Sequence, residues 1–186
     1  MKKNVISHKM FQDQIWGKTY IALESLIESC YLTQLAIPPN LSGIGGETQS
    51  AWREYCTIRM TTSRRAGHTT AICKSALEYF ERAAILSYNQ NMSKRTKDVF
   101  RNIVNKYPID NVITKDTSDI IEVNHDNKYF FYSMGQINHL SELTGSVEAV
   151  FVDCAFMLSK EKTDKIYDLF GSTMAEYPQN FFIFIQ

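Results

Sequence analysis

The sequence predicts an α/β fold in which helices cover both faces of a mainly parallel sheet. Three observations lead to this prediction. Short apolar runs alternate along the chain with amphipathic stretches whose apolar residues recur at helical spacing. The runs are continuously apolar, as in strands that are buried on both faces. The 186 residues, 44% of them hydrophobic, are enough for one domain with a substantial core.

Residues 1–50 are predicted to form a helical segment and a linker ahead of the main core at residues 51–186. Residues 11–31 carry apolar side chains at roughly helical spacing, despite Gly17. Residues 38–50, PPNLSGIGGETQS, are rich in proline, glycine and small polar residues, which favours a loop. No strand precedes these glycines and no clear helix follows them, so a linker is preferred over a phosphate-binding loop.

The main core is predicted to alternate strands and helices up to residue 186. The predicted strands, each a short apolar run, cover residues 55–60, 84–88, 119–124, 128–133, 148–154 and 180–186. The predicted helices, each with an apolar stripe, cover residues 69–83, 93–107 and 160–175. Ser93 is the expected N-cap of the second of these helices. Residues 125–127 are the expected turn of a hairpin between two of the strands.

Composition argues against several classes of protein. Twenty basic residues balance twenty acidic ones, so net charge indicates neither a nucleic-acid coat nor a membrane-surface protein. The four cysteines form no C-x-x-C pair, which disfavours a disulfide framework or a thiolate zinc site. A metal site built from His125, His139 and Cys154 is disfavoured because these residues lie far apart without paired ligands. With no bilayer-length apolar run and no signal-peptide pattern, the reduced cytoplasm is the expected compartment.

Residues 61–72, TTSRRAGHTTAI, join a predicted strand to a predicted helix, which is the context of a phosphate-binding loop. A bound triphosphate needs converging backbone N–H groups, a helix N-terminus and a cation. The usual loop is G-x-x-x-x-G-K-[ST]. Gly67 occupies the position where the backbone approaches the phosphate, and Thr69 the position whose hydroxyl holds magnesium. Thr62 replaces the first glycine of the pattern, and His68 replaces its lysine.

The segment SRRAGHTT, residues 63–70, resembles the loop of the ATPase domain of the large terminase, the DNA-packaging motor of tailed phages. That family commonly has S-R-Q-x-G-K-T-T, so this chain departs from it at Arg65 and His68. Downstream, VFVDCA resembles the family's hydrophobic strand ending in Asp-Glu, with Cys154 in the place of the catalytic glutamate. The likeness runs from about residue 52 to residue 186 in the family's order. It leaves no segment for the family's nuclease domain, so a stand-alone ATPase-like domain is expected.

The resemblance implies a P-loop NTPase-like core that binds ATP and Mg²⁺. The residues that it places at the nucleotide are Ser63, Arg64, Arg65, Ala66, Gly67, His68, Thr69 and Thr70. It assigns magnesium to Thr69 and to Asp153, which would act through water. Arg64, or else Arg65, corresponds to the family's early basic residue that contacts phosphate. The final run FFIFIQ corresponds to the later strand that carries a coupling or sensing position.

Hydrolysis is expected to be weak or absent, and no catalytic residue is assigned. Histidine is shorter than lysine and only partly charged at neutral pH. A bound triphosphate could raise the pKa of His68 and restore the charge, or Arg64 or Arg65 could supply the cation in place of the lysine. The thiol of Cys154 is a poor substitute for the glutamate that activates the attacking water. Glu161 or Asp164, on the following predicted helix, are the acids that could reach the site instead.

Two functions are therefore open. The first is a small phage-type ATP-binding protein. The second is a pseudo-ATPase that keeps the fold as a scaffold for a host or phage protein of DNA processing or defence. Loss of the lysine and the glutamate favours the scaffold, and survival of Gly67, Thr69, Thr70 and Asp153 favours nucleotide binding.

A plain strand–turn–helix, capped by Thr69 or Thr70, would give the same loop pattern without a ligand. The partners considered are a nucleotide, a protein and DNA, and not a membrane. Motors of the family act as rings, which by analogy adds a homo-oligomer. A phage-encoded protein would act in the cytoplasm of the bacterial host.

Overall fold

The computed structural model describes residues 14–36, 53, 56–61, 67–106, 111–137, 147–171 and 181–185. Its elements are, in chain order, α1 (Gln14–Ala36), β1 (Thr57–Met60), α2 (His68–Tyr79), β2 (Arg82–Ser87), α3 (Gln90–Lys106), β3 (Ile113–Asp116), β4 (Ile120–Val123), β5 (Asn127–Ser133), β6 (Ala149–Asp153), α4 (Lys160–Gly171) and β7 (Phe181–Ile185). A short 3₁₀ helix, Ala155–Met157, lies between β6 and α4.

The strands of this described part form one seven-stranded sheet in the order β1-β7-β6-β2-β5-β4-β3. From β1 to β5 each neighbouring pair is parallel, and β4 and β3 extend the sheet as an antiparallel edge. The predicted α/β fold with a mainly parallel sheet is confirmed. The predicted hairpin is also present, as β4 and β5, and its turn holds Asn124 and His125 at positive φ.

Different helices cover the two faces of the sheet. On one face, α1, α2 and α3 enclose a cluster that includes Phe100 and Phe181. On the other face, α4 and the 3₁₀ helix enclose a cluster that includes Tyr167 and Phe182. Phe181 and Phe182 belong to opposite clusters because successive side chains of a strand point to opposite faces. Burial on both faces explains why the central strands are continuously apolar.

The N-terminal helix α1 packs against α2 and β1. The Tyr79 hydroxyl donates a hydrogen bond to Glu24 Oε1 at 2.5 Å, and the Tyr20 hydroxyl donates one to Glu78. The ammonium of Lys74 lies 3.5 Å from the centre of the Tyr20 ring. These contacts fix α1 against the helix that begins at the phosphate-loop motif. The division of the chain near residue 50 stays a prediction.

One boundary between a helix and a strand differs from the prediction. The helix expected to continue to residue 83 ends at Tyr79, because Phe80 turns to extended backbone with φ −129° and ψ 140°. The next strand begins at Arg82 instead of residue 84, and Ala83 and Ala84 are buried within the sheet. A short run of alanines fits a helix and a strand equally well, so periodicity could not place this boundary.

Further differences lie at helix ends and at the edge of the sheet. Helix α1 continues to Ala36, beyond the predicted end at residue 31. Ser93 is not the N-cap of α3: the helix begins at Gln90, and the side chain of Asn89 accepts the N–H of Met92 at 2.9 Å. The edge strand β3 was not predicted, because two of its four residues are exposed and its apolar run is short. The linker at 38–50 and the predicted helix end at 172–175 lie outside the described residues.

Candidate functional site

The carboxyl ends of three parallel strands meet at the site. Met60, the last residue of β1, pairs with Ile185 of β7, and Ile185 pairs in turn with Asp153, the last residue of β6. These residues therefore form one row across the sheet. The chain that leaves β1 and the acid that ends β6 emerge from the same edge, separated by a single strand. At this edge the start of α2, with His68 and Thr69, meets Asp153.

Gly67 places α2 at this edge. It is the N-cap of the helix with φ 78° and ψ 25°, in the left-handed region, and its carbonyl accepts the N–H of Ala71 at 2.9 Å. A residue with a side chain is strained in that region, so glycine suits the position. The first N–H groups of a helix have no partner within it, and they attract negative charge. The start of α2 is therefore a favourable place for an anion.

Asp153 is the centre of the site and is only 2% exposed. Its Oδ2 accepts a hydrogen bond from the Thr69 hydroxyl at 2.9 Å. Its Oδ1 lies 3.2 Å from His68 Nε2 and accepts a contact from the Cys154 thiol at 3.6 Å. A buried carboxylate needs such partners, because desolvation without them is costly. The side chains of His68 and Thr69 thus hold Asp153 at the N-terminus of α2.

The raised pKa of His68 follows from this arrangement. The hydrogen bond with Asp153 is the largest cause, burial opposes it, and the charge of Asp153 adds to it. The protonated imidazole is consequently more stable, relative to the neutral form, than it is in an ordinary histidine. His68 Nδ1 is buried and has no hydrogen-bond partner within the described residues. His68, at the lysine position, therefore contacts Asp153 through Nε2, while its Nδ1 lacks a partner among the described residues.

Cys154 stands where the resemblance expects a glutamate. Its backbone lies in the left-handed region, with φ 63° and ψ 45°, and the chain continues directly into the 3₁₀ helix. Burial, followed by the charge of Asp153 and the hydrogen bond to it, raises the pKa of the Cys154 thiol to about 11. At neutral pH this thiol is protonated and cannot act as a general base.

Other acids near the site in sequence are used elsewhere. Glu148, just before the first residue of β6, accepts the backbone N–H of Glu81 at 2.8 Å, at the opposite end of that strand. Asp164 on α4 forms an ion pair with Arg53. Glu161 is exposed in the first turn of α4. Among the described residues, none of these three acids has a contact that would let it replace the glutamate expected at residue 154.

The residues predicted at the nucleotide divide into two groups. Gly67, His68 and Thr69 lie at the start of α2, and the structure brings His68 and Thr69 to Asp153. Thr70 follows them, half-buried on the same helix, and its contact with phosphate stays a prediction. The remaining four lie outside the described residues, so their roles stay predictions: Ser63, Arg64, Arg65 and Ala66.

The structure adds a cluster that the sequence did not indicate. His68, Asp153 and Cys154 each offer a ligand atom, and these atoms all lie within 4.8 Å of one another. This cluster could not be predicted from residue spacing, because His68 and Asp153 are far apart along the chain. His125, considered earlier with Cys154, lies instead in the β4–β5 turn, at the edge of the sheet opposite Asp153. His139 lies outside the described residues.

Comparison with known proteins gives similarity at the level of solved structures. No protein-family model matches the chain, and no curated protein does. A large terminase from a thermophilic bacteriophage, in complex with ADP, is 10% identical and covers 75% of this chain, with a TM-score of 0.47. The ATPase domain of a large terminase from a Thermus phage is 9% identical and covers 82% of this chain, with a TM-score of 0.48.

The chain spans 37% of the first of these structures and 66% of the second. With both TM-scores below 0.5, the likeness by itself says nothing about activity, substrate or partner. No helix within the described ranges combines the length and the apolarity needed to cross a bilayer. Both of these structures are large terminases, the family that the motifs of this sequence resemble.

Proposed function

We propose that this chain is a small phage-type ATP-binding protein in which hydrolysis is weak or absent. One observation carries the proposal: the 2.9 Å hydrogen bond between the Thr69 hydroxyl and Asp153 at the N-terminus of α2. A hydroxyl and a carboxylate side by side are the oxygen ligands that Mg²⁺ prefers alongside the phosphates of a nucleotide. The donor set therefore fits a magnesium-bound nucleotide.

The phosphates would be held by the start of α2. Gly67 permits the turn into the helix and leaves its backbone free of a side chain, and the first N–H groups of α2 attract negative charge. In this proposal Ser63, Arg64, Arg65 and Ala66 complete the loop. Mg²⁺, when bound, would neutralise charge on the phosphates.

Binding without efficient hydrolysis follows from the two substituted positions. His68 is in contact with Asp153, and its side chain is shorter than that of lysine. It is therefore poorly suited to contact the terminal phosphate during transfer. The Cys154 thiol is protonated at neutral pH, so it does not activate water. Phosphoryl transfer depends on charge and positioning at these two points. The chain therefore keeps the groups that hold a nucleotide and lacks those that cleave it.

The second candidate is a pseudo-ATPase scaffold that binds a host or phage protein of DNA processing or defence. The direct contact between His68 and Asp153 favours the scaffold, because the buried carboxylate of Asp153 has a polar partner without any ligand. DNA and a second copy of the chain are further partners of either candidate.

Melting temperature with and without magnesium-ATP separates the two candidates. Ligand at about 100 times its dissociation constant adds about 2.7 kcal/mol, which raises the melting temperature by about 5 °C or more in a domain of this size. We expect that rise in the wild type and none in Gly67→Val, each measured against its own ligand-free baseline. A wild type that shows no rise at millimolar magnesium-ATP would favour the scaffold.

A further inference from the structure

Three side chains of different chemistry converge on one point at the carboxyl edge of the sheet. His68 begins α2, Asp153 ends β6 and Cys154 follows it directly. Their imidazole, carboxylate and thiol ligand atoms lie within 4.8 Å of one another. We infer that His68, Asp153 and Cys154 form a binding site for Zn²⁺ or a transition-metal ion of similar preference.

Two of the three separations between the ligand atoms match those around a tetrahedral metal, and the third, between His68 and Cys154, is at most 4.8 Å. Ligands at ordinary zinc distances and a tetrahedral angle place nitrogen and oxygen about 3.3 Å apart, and sulfur and oxygen about 3.5 Å apart. In this structure His68 Nε2 lies 3.2 Å from Asp153 Oδ1, and Cys154 Sγ lies 3.6 Å from the same oxygen. An ion that enters between the three atoms would displace the thiol proton of Cys154 and any proton on His68 Nε2, both of which would pass to solvent, and would draw these two side chains closer together.

The identity of the ligands selects the class of metal. Mg²⁺ and Ca²⁺ bind oxygen almost exclusively, whereas imidazole and thiolate favour Zn²⁺, Co²⁺ and related ions. Three protein ligands would leave a fourth position for water or for an oxygen of a bound molecule. The side chain of His68 is 24% exposed, which gives an ion a route to the buried carboxylate.

Thr69 positions the carboxylate for this role. Its hydroxyl donates to Asp153 Oδ2, so that Oδ1 is the oxygen turned toward His68 and Cys154. Hydrogen bonds of this kind to a ligating carboxylate are regular features of metal sites, because they fix the orientation of the ligand. Oδ2 of Asp153 thus accepts the hydrogen bond from Thr69, and Oδ1 is the oxygen that would bind the metal.

The cluster contains one departure from the phosphate-loop pattern, His68, and the departure from the acidic motif, Cys154. Histidine replaces the lysine at residue 68, and cysteine replaces the glutamate at residue 154. Each change removes a group that serves nucleotide hydrolysis and supplies a ligand for a transition metal. The zinc proposal does not depend on nucleotide binding, although both would use Asp153.

Titration of the metal-stripped protein with Co²⁺ tests the site without nucleotide. Thiolate ligation to Co²⁺ gives a charge-transfer band in the near ultraviolet, and the visible bands report tetrahedral geometry. We expect both in the wild type, with loss of both when Zn²⁺ is added. Cys154→Ser should remove the charge-transfer band and weaken Co²⁺ binding by at least about tenfold, the loss typical of disturbed metal sites. The matched control, Cys30→Ser on α1, should retain the band.

Two further variants keep the outcome decisive. His68→Asn retains the thiol, so its charge-transfer band should persist while Co²⁺ affinity falls by at least about tenfold. Cys154→Ser should still show the thermal shift with magnesium-ATP, which separates failure of the metal site from failure of nucleotide binding. Absence of a charge-transfer band in the wild type, or its persistence in Cys154→Ser, would overturn the proposal.

Discussion

Thr69 and Asp153 are 84 residues apart in the chain and are joined by a hydrogen bond of 2.9 Å from hydroxyl to carboxylate. The bond connects the first turn of α2 with the acid at the end of β6. Register makes this possible, because Met60 and Asp153 both pair with Ile185 of the intervening strand. The site is therefore a property of the sheet as well as of the loop.

Restoring the two substituted positions should create hydrolysis. The variant His68→Lys with Cys154→Glu regains a fixed cation and a base for the attacking water. We expect magnesium-dependent phosphate release to rise by about 100-fold over the wild type, the lower range for a positioned general base. The single variant His68→Lys should fall well short of this. A double variant that binds ATP and still releases phosphate at the wild-type rate would contradict the assignment of these two positions.

The contribution of His68 to stability should decline as pH rises. Its pKa in the folded protein is raised, mainly by the hydrogen bond with Asp153. The stabilisation is therefore fully present below the unfolded value of about 6.5 and is lost as pH rises through the folded pKa. In urea denaturation with a chelator present, the wild type should exceed His68→Gln by more at about pH 6 than at about pH 8.

The other groups that face His68 do not reverse this expectation. Thr69 does not titrate, and the Cys154 thiol stays protonated over that interval because its pKa is about 11. Asp153 is the partner itself, and Asp153→Asn should flatten the dependence. A difference in unfolding free energy that is constant with pH would show that His68 does not carry the charge.

The Cys154 thiol should be slow to alkylate at neutral pH. Burial and the neighbouring Asp153 raise its pKa to about 11, and the thiolate is the reactive form. Iodoacetamide labelling of the folded protein, followed by peptide mass spectrometry, should therefore accelerate from neutral pH toward the thiol pKa. Asp153→Asn, which removes the adjacent negative charge, should label faster at the same pH. Rapid labelling of wild-type Cys154 at neutral pH would contradict this environment.

Gly67 and Gly135 offer a matched pair of substitutions. Gly67 has φ 78°, where an alanine costs roughly 1–2 kcal/mol. Gly135 is not among the described glycines with positive φ, and a Cβ there would meet its nearest described neighbour, Ser133 Oγ, at an ordinary 3.8 Å. Chemical denaturation should show Gly67→Ala destabilised by that amount and Gly135→Ala within about 0.5 kcal/mol of the wild type. Equal effects in the two variants would argue against a strained turn at Gly67.

The sequence was sufficient for the fold class because buried strands such as β6 and β7 are continuously apolar. The spacing of the loop singled out Thr69, the resemblance to the terminase ATPase domain singled out Asp153, and their roles at a nucleotide stay predictions. Neither the spacing nor the resemblance could show that His68 and Cys154 converge on the same oxygen, since that depends on strand register and on the left-handed backbone of Cys154. Edge strand β3 was not predicted, because half of its residues are exposed and it therefore lacks the continuous apolar run of the buried strands.

Isothermal titration calorimetry with ATP tests nucleotide binding most directly, using the wild type and two variants of Thr69. Thr69→Val keeps the shape of the side chain and removes its hydroxyl, whereas Thr69→Ser keeps the hydroxyl. We expect ATP to bind the wild type and Thr69→Ser only when Mg²⁺ is present, and Thr69→Val to bind at least about tenfold more weakly, the loss expected at a disturbed metal site. No binding to the wild type, or binding indifferent to both Mg²⁺ and the Thr69 hydroxyl, would contradict a magnesium-nucleotide site at Thr69 and Asp153.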